Sequence, residues 1–198
     1  MTDSYMAFLI FVAVATFSPG GATTLATASG MLYGFRRSVP FIVGIGVGLG
    51  LMAVASALGL AALLLALPAV EFAVSVTGSI YLLYLAWKIA TNGSPSRRPD
   101  ASAPVSLWGA IGLTWYNPKA WAITMGASSS FADLVRWPPG QVALIGATFM
   151  VFATASMALW CTTGHALAQL LKSDWQWQVL NLTMALLLAA SIIPLWLE

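Results

Sequence analysis

Residues 16–22 read TFSPGGA and interrupt the first long apolar stretch of the chain, about Tyr5 to Ser29. A proline inside a helix removes one backbone hydrogen bond, and the paired glycines loosen the turn that follows. A second stretch of this kind, residues 115–121, reads WYNPKAW and also lies within an apolar segment. The two prolines, Pro19 and Pro118, are 99 residues apart, which is half of the chain. The sequence therefore predicts two interrupted helices in corresponding positions of two halves.

The composition predicts that these helices lie in lipid. Of 198 residues, 60% are hydrophobic and 7% are charged, whereas soluble domains carry about 25% charged residues. So few charged side chains cannot cover a water-facing surface of this size. The eight basic residues are scattered and form no patch that would neutralise phosphates. We therefore expect an integral membrane protein in contact with lipid, and no nucleic-acid partner.

Six apolar segments of sufficient length follow one another with short joints between them. A helix needs about 20 residues to cross the hydrocarbon core, so the chain has room for six spans and no further domain. The segments are about Tyr5 to Ser29, Val39 to Leu67, Val70 to Thr91, Leu107 to Ser130, Gln141 to Leu167 and Trp177 to Leu197. We predict an all-α, polytopic membrane protein with a single domain over residues 1–198.

The basic residues of the joints predict the orientation. The joints are residues 33–37, 67–68, 92–100, 133–140 and 172–174. The first, third and fifth joints, with their flanks, hold Arg36, Arg37, Lys88, Arg97, Arg98 and Lys172, and the other joints and the tails hold only Arg136. Lysine and arginine in short loops concentrate on the cytoplasmic side. We therefore expect the first, third and fifth joints in the cytoplasm and both termini outside the cytoplasmic (inner) membrane.

Each half has three spans, and this number is odd. The second half must therefore enter the membrane in the opposite direction. This is the outline of an inverted-topology repeat, in which two interrupted helices face each other near the midplane and form a substrate site. The first repeat covers about residues 1–91, a cytoplasmic loop residues 92–105, and the second repeat residues 106–198. The alternative is that the prolines only kink their helices, as they often do in membranes.

Interrupted helices suit a zwitterion or a small anion. The N–H groups of a half-helix can hold a carboxylate, and freed carbonyl groups can accept hydrogen bonds from an ammonium group. An intramembrane lysine is a functional candidate, although its stem can also carry the charge to an interface. The predicted binding residues are Ser18, Pro19, Gly20, Gly21, Asn117, Pro118 and Lys119.

The glycine-rich run at residues 44–50 contains two pairs spaced by four, Gly44 with Gly48 and Gly46 with Gly50. A nucleotide-binding loop would require a preceding strand and a following Lys-Ser or Lys-Thr, and neither is present. In an apolar helix this spacing is typical of close helix packing. We expect this run to be a packing face.

The inventory of reactive side chains argues against an enzyme. The chain has one histidine and one cysteine, Cys161, and its acids lie only at segment ends or joints. These residues cannot build a metal site, a haem pair or a catalytic triad. We expect no metal, no cofactor and no enzymatic activity.

Several of these motifs together resemble the LysE/RhtB family of amino-acid exporters. They are Ser18-Pro19-Gly20-Gly21, the glycine-rich second segment after Gly34-Phe35-Arg36, the run YLLYLAWK at residues 81–88, and Asn117-Pro118-Lys119-Ala120. The resemblance covers nearly the whole chain. It implies a LysE-type translocator that exports amino acids or related small metabolites, usually in exchange for protons, and that assembles as a homo-oligomer.

The sequence departs from this family in two places. Members commonly have a second proline where Gly21 stands here, and many have an acidic residue in the fifth helix, where residues 142–159 hold no ionisable group. His165 is a candidate proton carrier, or else an interfacial hydrogen-bonding residue. Asp133 and Arg136 are candidates for an external gate, or else for an ordinary solvated loop.

Two other functions stay open on the residues alone. A structural subunit could use the glycine face to bind another membrane protein without transporting any solute. A channel is the other alternative, and transport that saturates with substrate and depends on a pH gradient would exclude it.

Overall fold

The computed structural model describes residues 2–59, 68–91, 103–171, 173–190 and 192–193. Within these ranges the chain is all-helical and contains no strand. The helices are α1 (Thr2–Phe17), α2 (Gly21–Ala57), α3 (Pro68–Thr91), α4 (Leu107–Trp115), α5 (Pro118–Ser130), α6 (Pro138–Leu170) and α7 (Asp174–Ala190).

Both predicted interruptions are confirmed. The first apolar segment is divided between α1, which ends at Phe17, and α2, which begins at Gly21. The fourth segment is divided between α4, which ends at Trp115, and α5, which begins at Pro118. Proline at the first position of a helix loses no hydrogen bond, because that N–H group has no partner within the helix. Pro118 therefore starts a helix rather than disturbing one.

The first joint is shorter than predicted. We expected residues 33–37 to leave the helix, but only Gly34 does so, with φ 76° and ψ 168°. The hydroxyl groups of Ser29 and Ser38 lie 2.7 Å apart, whereas residues nine apart in a straight helix are separated by about 13 Å along the axis. The chain therefore reverses at Gly34. We call residues 21–33 the first arm of α2 and residues 35–57 its second arm.

The other boundaries differ from prediction by a few residues. α3 begins two residues before the predicted Val70, and α6 extends beyond Gln141 and Leu167 at both of its ends. α7 begins at Asp174, three residues before the predicted start of the sixth segment. The predicted ends at Leu67 and Leu197, and most of the loop at residues 92–105, lie outside the described residues.

The prediction that the glycine run is a packing face is confirmed, and the run in fact serves two neighbours. A Cβ atom at Gly44 or Gly48 would meet the backbone of α4 at 2.5 and 3.1 Å, respectively. A Cβ atom at Gly46 would meet Thr154 of α6 at 2.0 Å, and one at Gly50 would meet Met150 at 2.9 Å. The second arm of α2 is therefore enclosed between α4 and α6.

The outer surface of the bundle is apolar. By length and composition, two of the described helices, α2 and α6, could cross a membrane, and shorter apolar helices cover Asp3–Phe17 and Leu82–Thr91. Large aliphatic side chains are exposed on α1, α6 and α7, among them Val14, Val151 and Leu186 at 61–65% of their surface. A soluble monomer rarely exposes so many large apolar side chains on successive helices.

Candidate functional site

The last carbonyl groups of α1 accept hydrogen bonds from side chains that are distant in the chain. The last carbonyl groups of a helix have no partner within it, and in lipid no water replaces that partner. Here Ser156 of α6 donates to the carbonyl oxygen of Thr16 at 2.8 Å, and the indole of Trp160 donates to that of Phe17 at 3.3 Å. The first interruption is therefore fixed by α6.

The second interruption is held by hydrogen bonds among its own residues. The side chain of Asn117 accepts a hydrogen bond from the N–H group of Lys119 at 3.1 Å and so caps α5. The indole of Trp121 donates to the carbonyl oxygen of Trp115 at 2.8 Å, across the break between α4 and α5. This local network fixes the direction in which α5 leaves the break.

Lys119 joins the two interruptions. Its Nζ donates to the hydroxyl group of Ser18 at 2.8 Å, to the carbonyl oxygen of Ser18 at 3.0 Å and to that of Pro19 at 3.3 Å. The carbonyl groups accept these bonds because the chain is not helical at this point. Lys119 is partly buried, and its ammonium group is directed to the first interruption.

A cavity of about 50 Å³ lies between the two interruptions. About 10–15 Å³ is enough for one water molecule, so this space holds a few waters or one small polar group. Five of the seven predicted binding residues line it: Ser18, Gly20, Gly21, Asn117 and Lys119. Lys119 is the single ionisable side chain among the described residues that line the cavity.

The start of α2 also faces this cavity through Gly21, Ala22 and Thr23. The N–H group of Gly20 donates to the hydroxyl group of Thr23 at 2.8 Å. Within the described residues, no acceptor contacts the N–H groups of Gly21 and Ala22, as is usual for the first turn of a helix. These donors and the ammonium group of Lys119 give the cavity a positive potential.

The three predicted gating or coupling residues lie away from the cavity. His165 is on α6 eight residues beyond Met157, which lines the cavity, so it lies about 12 Å further along the helix. It is exposed and its Nε2 lies 3.3 Å from the amide nitrogen of Gln169. Asp133 and Arg136 are exposed in the connection between α5 and α6. Their roles stay predictions.

Three residues that shape the site were not predicted from the sequence: Thr23, Ser156 and Trp160. Ser156 is one of several small polar residues of α6, beside Thr148, Thr154 and Thr162, so its residue type alone did not single it out. Thr23 follows Gly20 at the N3 spacing of a helix start, and this spacing could have indicated that Thr23 caps α2. Nothing in the sequence showed that α6, rather than a neighbour in sequence, would complete the end of α1.

Two interrupted helices that meet at a cavity within an apolar bundle are typical of membrane transporters. The comparison with known families agrees. The family model described as LysE type translocator matches residues 12–191. The chain therefore belongs to the LysE type translocator family, and it is a membrane translocator rather than an enzyme.

Curated relatives of similar length are named as efflux proteins. The chain is 28% identical over 187 residues to the cysteine/O-acetylserine efflux protein of Escherichia coli strain K12, and equally to that of Shigella sonnei strain Ss046. Each comparison covers 92% of this chain and 92% of the relative. No solved structure matches the chain.

Proposed function

We propose that this protein is a secondary transporter that exports small, neutral amino acids or closely related metabolites across the cytoplasmic membrane in exchange for protons. The observation that carries the proposal is the position of Lys119, whose ammonium group joins both interrupted helices at the edge of the cavity. A charge kept within an apolar bundle is costly, so such residues generally serve function.

The proposed substrate class follows from the size and polarity of the cavity. A volume of about 50 Å³ leaves little room for a long or aromatic side chain. The cavity offers N–H donors at the start of α2 and carbonyl acceptors at Ser18 and Pro19. These groups complement the carboxylate and the ammonium of a zwitterion. Relatives named for cysteine and O-acetylserine efflux make these two solutes the first to test.

Two inverted repeats are part of the proposal, and the packing of the helices supports them. In the first half, α1 packs on the long helix α6 of the second half. In the second half, α4 packs on the second arm of α2, the long helix of the first half. The remaining helices, α3 and α7, pack on each other. Each half therefore places its interrupted helix against the long helix of the other half.

The proposed topology puts both termini and the α5–α6 connection outside. The hydroxyl group of Tyr5, near the start of α1, donates to the carbonyl oxygen of Leu134 in that connection at 2.8 Å. Gly34, in the predicted cytoplasmic joint, lies beside the ring of His165. These contacts support an arrangement in which the N-terminus and the α5–α6 connection share one end of the bundle. A homo-oligomer in the membrane is proposed on the family resemblance alone.

Proton exchange is proposed with Lys119 as the coupling group. Among the described residues of α6 between residues 142 and 159 there is no acid, so the fifth span offers no carboxylate for this purpose. Lys119 is the one ionisable side chain that lines the cavity within the described residues. A proton gained or lost there changes the charge at the site where the solute binds.

A counterflow screen on purified protein in liposomes tests the function. We expect cysteine or O-acetylserine inside the vesicles to drive accumulation of the same labelled solute, with saturation, and an imposed pH gradient to change the rate. Flux that does not saturate would indicate a channel. No flux of any amino acid, together with a co-purifying membrane protein, would support the alternative of an assembly subunit.

Two variants test the site. Pro118→Ala and Lys119→Ala should abolish efflux from loaded liposomes while the protein still inserts into the membrane. Lys88→Ala is the matched control, because Lys88 is an exposed lysine at the end of α3. Unchanged efflux in both site variants would show that the cavity is not the substrate site.

A further inference from the structure

We infer that the ammonium group of Lys119 occupies the position of the solute's own ammonium group, and that the solute displaces it on binding. The inference rests on the proposed function, because it assumes that the cavity between the interrupted helices receives an amino-acid solute. It concerns one set of acceptors, the hydroxyl and carbonyl oxygens of Ser18 and the carbonyl oxygen of Pro19. We call these three atoms the acceptor set.

The acceptor set has the geometry that a primary ammonium group requires. A lysine ammonium carries three N–H donors and no acceptor. Lys119 Nζ has three oxygen atoms around it, at 2.8, 3.0 and 3.3 Å. The α-ammonium of an amino acid has the same three donors and the same charge. Any oxygen cage that satisfies the lysine therefore also satisfies the solute.

In this arrangement Lys119 has no donor left for a carboxylate. The three oxygen atoms of the acceptor set match its three N–H groups in number. A solute carboxylate in the cavity can be attracted by the charge, but it gains a hydrogen bond only if Lys119 leaves at least one oxygen. In the structure the lysine satisfies the carbonyl groups that the interruption exposes.

The two ammonium groups exclude each other. Two like charges in contact repel each other strongly where water is excluded. Within the described residues that line the cavity, no acid is present to screen this repulsion. The solute can therefore take the acceptor set only when Lys119 moves away or loses its charge. Exchange transport requires that the solute and the charged form of Lys119 do not occupy the site together.

The ammonium group of Lys119 already lies next to the start of α2. The side chain already borders the cavity, and its Nζ lies 3.3 Å from the Cβ position of Gly20, at the start of α2. From there the ammonium group can meet a carboxylate held by the N–H groups of the first turn of α2. Lys119 then changes from a substitute for the solute's ammonium group to a partner of its carboxylate.

Ligands that carry only the ammonium group or only the carboxylate distinguish displacement of Lys119 from simple charge attraction. Ethanolamine has the ammonium group alone, and 3-hydroxypropionate has the carboxylate alone. We measure their binding to the purified full chain in detergent by isothermal titration calorimetry. In Lys119→Ala we expect ethanolamine to bind at least 10-fold more tightly than in the unmodified protein, and 3-hydroxypropionate to bind at least 10-fold more weakly.

Three further variants make the result specific. Lys119→Met keeps an apolar stem of similar length and should show the same two changes, which covers the case in which the alanine variant does not fold. Ser18→Ala combined with Lys119→Met should lose most of the gain for ethanolamine, because the acceptor set is then incomplete. Lys88→Ala, at an exposed lysine on α3, should leave both affinities unchanged.

The outcome distinguishes the inference from the proposed function. Equal binding of ethanolamine to the unmodified protein and to both Lys119 variants overturns the inference, even if cysteine or O-acetylserine counterflow is normal. Absence of counterflow in the unmodified protein, with a gain of ethanolamine binding in the variants, overturns the proposed function. An ethanolamine gain that persists undiminished in the double variant would show that the ligand binds elsewhere.

Discussion

Lys119 Nζ lies 2.8 Å from the hydroxyl group of Ser18, although the two residues are 101 positions apart in the chain. The contact is the direct link between the two interrupted helices, since one residue belongs to the break after α1 and the other to the first turn of α5. Conformational change between the halves therefore has to strain or break it. The first prediction concerns the serine side of this contact.

Ser18→Ala should destabilise the contact between the two interruptions. It removes the shortest of the three hydrogen bonds to Lys119 and the bond from Ser18 to the carbonyl oxygen of Ala15 at 3.1 Å. A hydrogen bond to a charged group contributes about 1.5–3 kcal/mol when protected from water. We expect a lower melting temperature in detergent and a reduced counterflow rate. Ser129→Ala is the control, because this exposed hydroxyl bonds only to carbonyl oxygens of its own helix; an equal effect of both variants would contradict the prediction.

Gly30→Ala and Gly164→Ala should each disrupt the packing of the first arm of α2 on α6. A Cβ atom at Gly30 would lie 2.0 Å from the carbonyl oxygen of Cys161, and one at Gly164 would lie 2.1 Å from that of Thr27. Both obstacles are backbone atoms, which cannot rotate away. We expect a loss of at least about 1–3 kcal/mol of stability, measured as the fraction of monodisperse protein that survives heating in detergent.

The matched control for these two variants is Gly112→Ala in α4. No atom lies within 4 Å of the Cβ position of Gly112, and alanine in a helix is favoured over glycine by about 0.5–1 kcal/mol. This variant should be as stable as the unmodified protein or slightly more stable. A loss of stability at Gly112 equal to that at Gly30 would mean that steric contact is not the cause.

Gly34→Ala should destabilise the reversal within α2. Gly34 has φ 76° and ψ 168°, a combination that only glycine adopts without strain of about 1–3 kcal/mol. Asparagine tolerates the left-handed helical region but not this one, so Gly34→Asn should be equally harmful. Melting temperatures of the two variants test this directly. A stable asparagine variant would show that the turn can change to a left-handed helical conformation.

The sequence allowed the interruptions to be predicted because their cause is local. Proline and glycine remove or weaken hydrogen bonds wherever they occur in a helix, so the breaks near Pro19 and Pro118 follow from residue type. The glycine face at residues 44–50 could be predicted for the same reason, since its spacing repeats every helical turn. Five of the seven predicted binding residues line the cavity, because each flanks one of these breaks.

The joint at residues 33–37 was predicted too long because its polarity indicates a loop, whereas a single glycine is enough to reverse the chain. The contacts that complete the site depend on tertiary packing. The pairing of Lys119 with Ser18, and of Ser156 with Thr16, joins residues from opposite halves. Residue type shows that each is polar in an apolar environment, but not which partner satisfies it.

The last prediction concerns how α6 fixes the end of α1. The hydroxyl group of Ser156 is buried and donates to the carbonyl oxygen of Thr16 at 2.8 Å. Ser156→Ala leaves that carbonyl group without its donor in an apolar environment, which costs about 1–3 kcal/mol. The break is then less rigid, and the acceptor atoms of Ser18 that follow it are less well placed. We expect both a lower melting temperature and a higher half-saturation concentration in counterflow.

Thr162→Ala is the control for this effect on the same helix. Thr162 is exposed, and its hydroxyl bonds to the carbonyl oxygen of Ala158 within α6, so its removal leaves no distant group unsatisfied. A change in melting temperature without any change in half-saturation for Ser156→Ala would show that the end of α1 contributes to stability but not to the binding position. A parallel change in both quantities, absent from Thr162→Ala, connects the rigidity of the first interruption to solute binding.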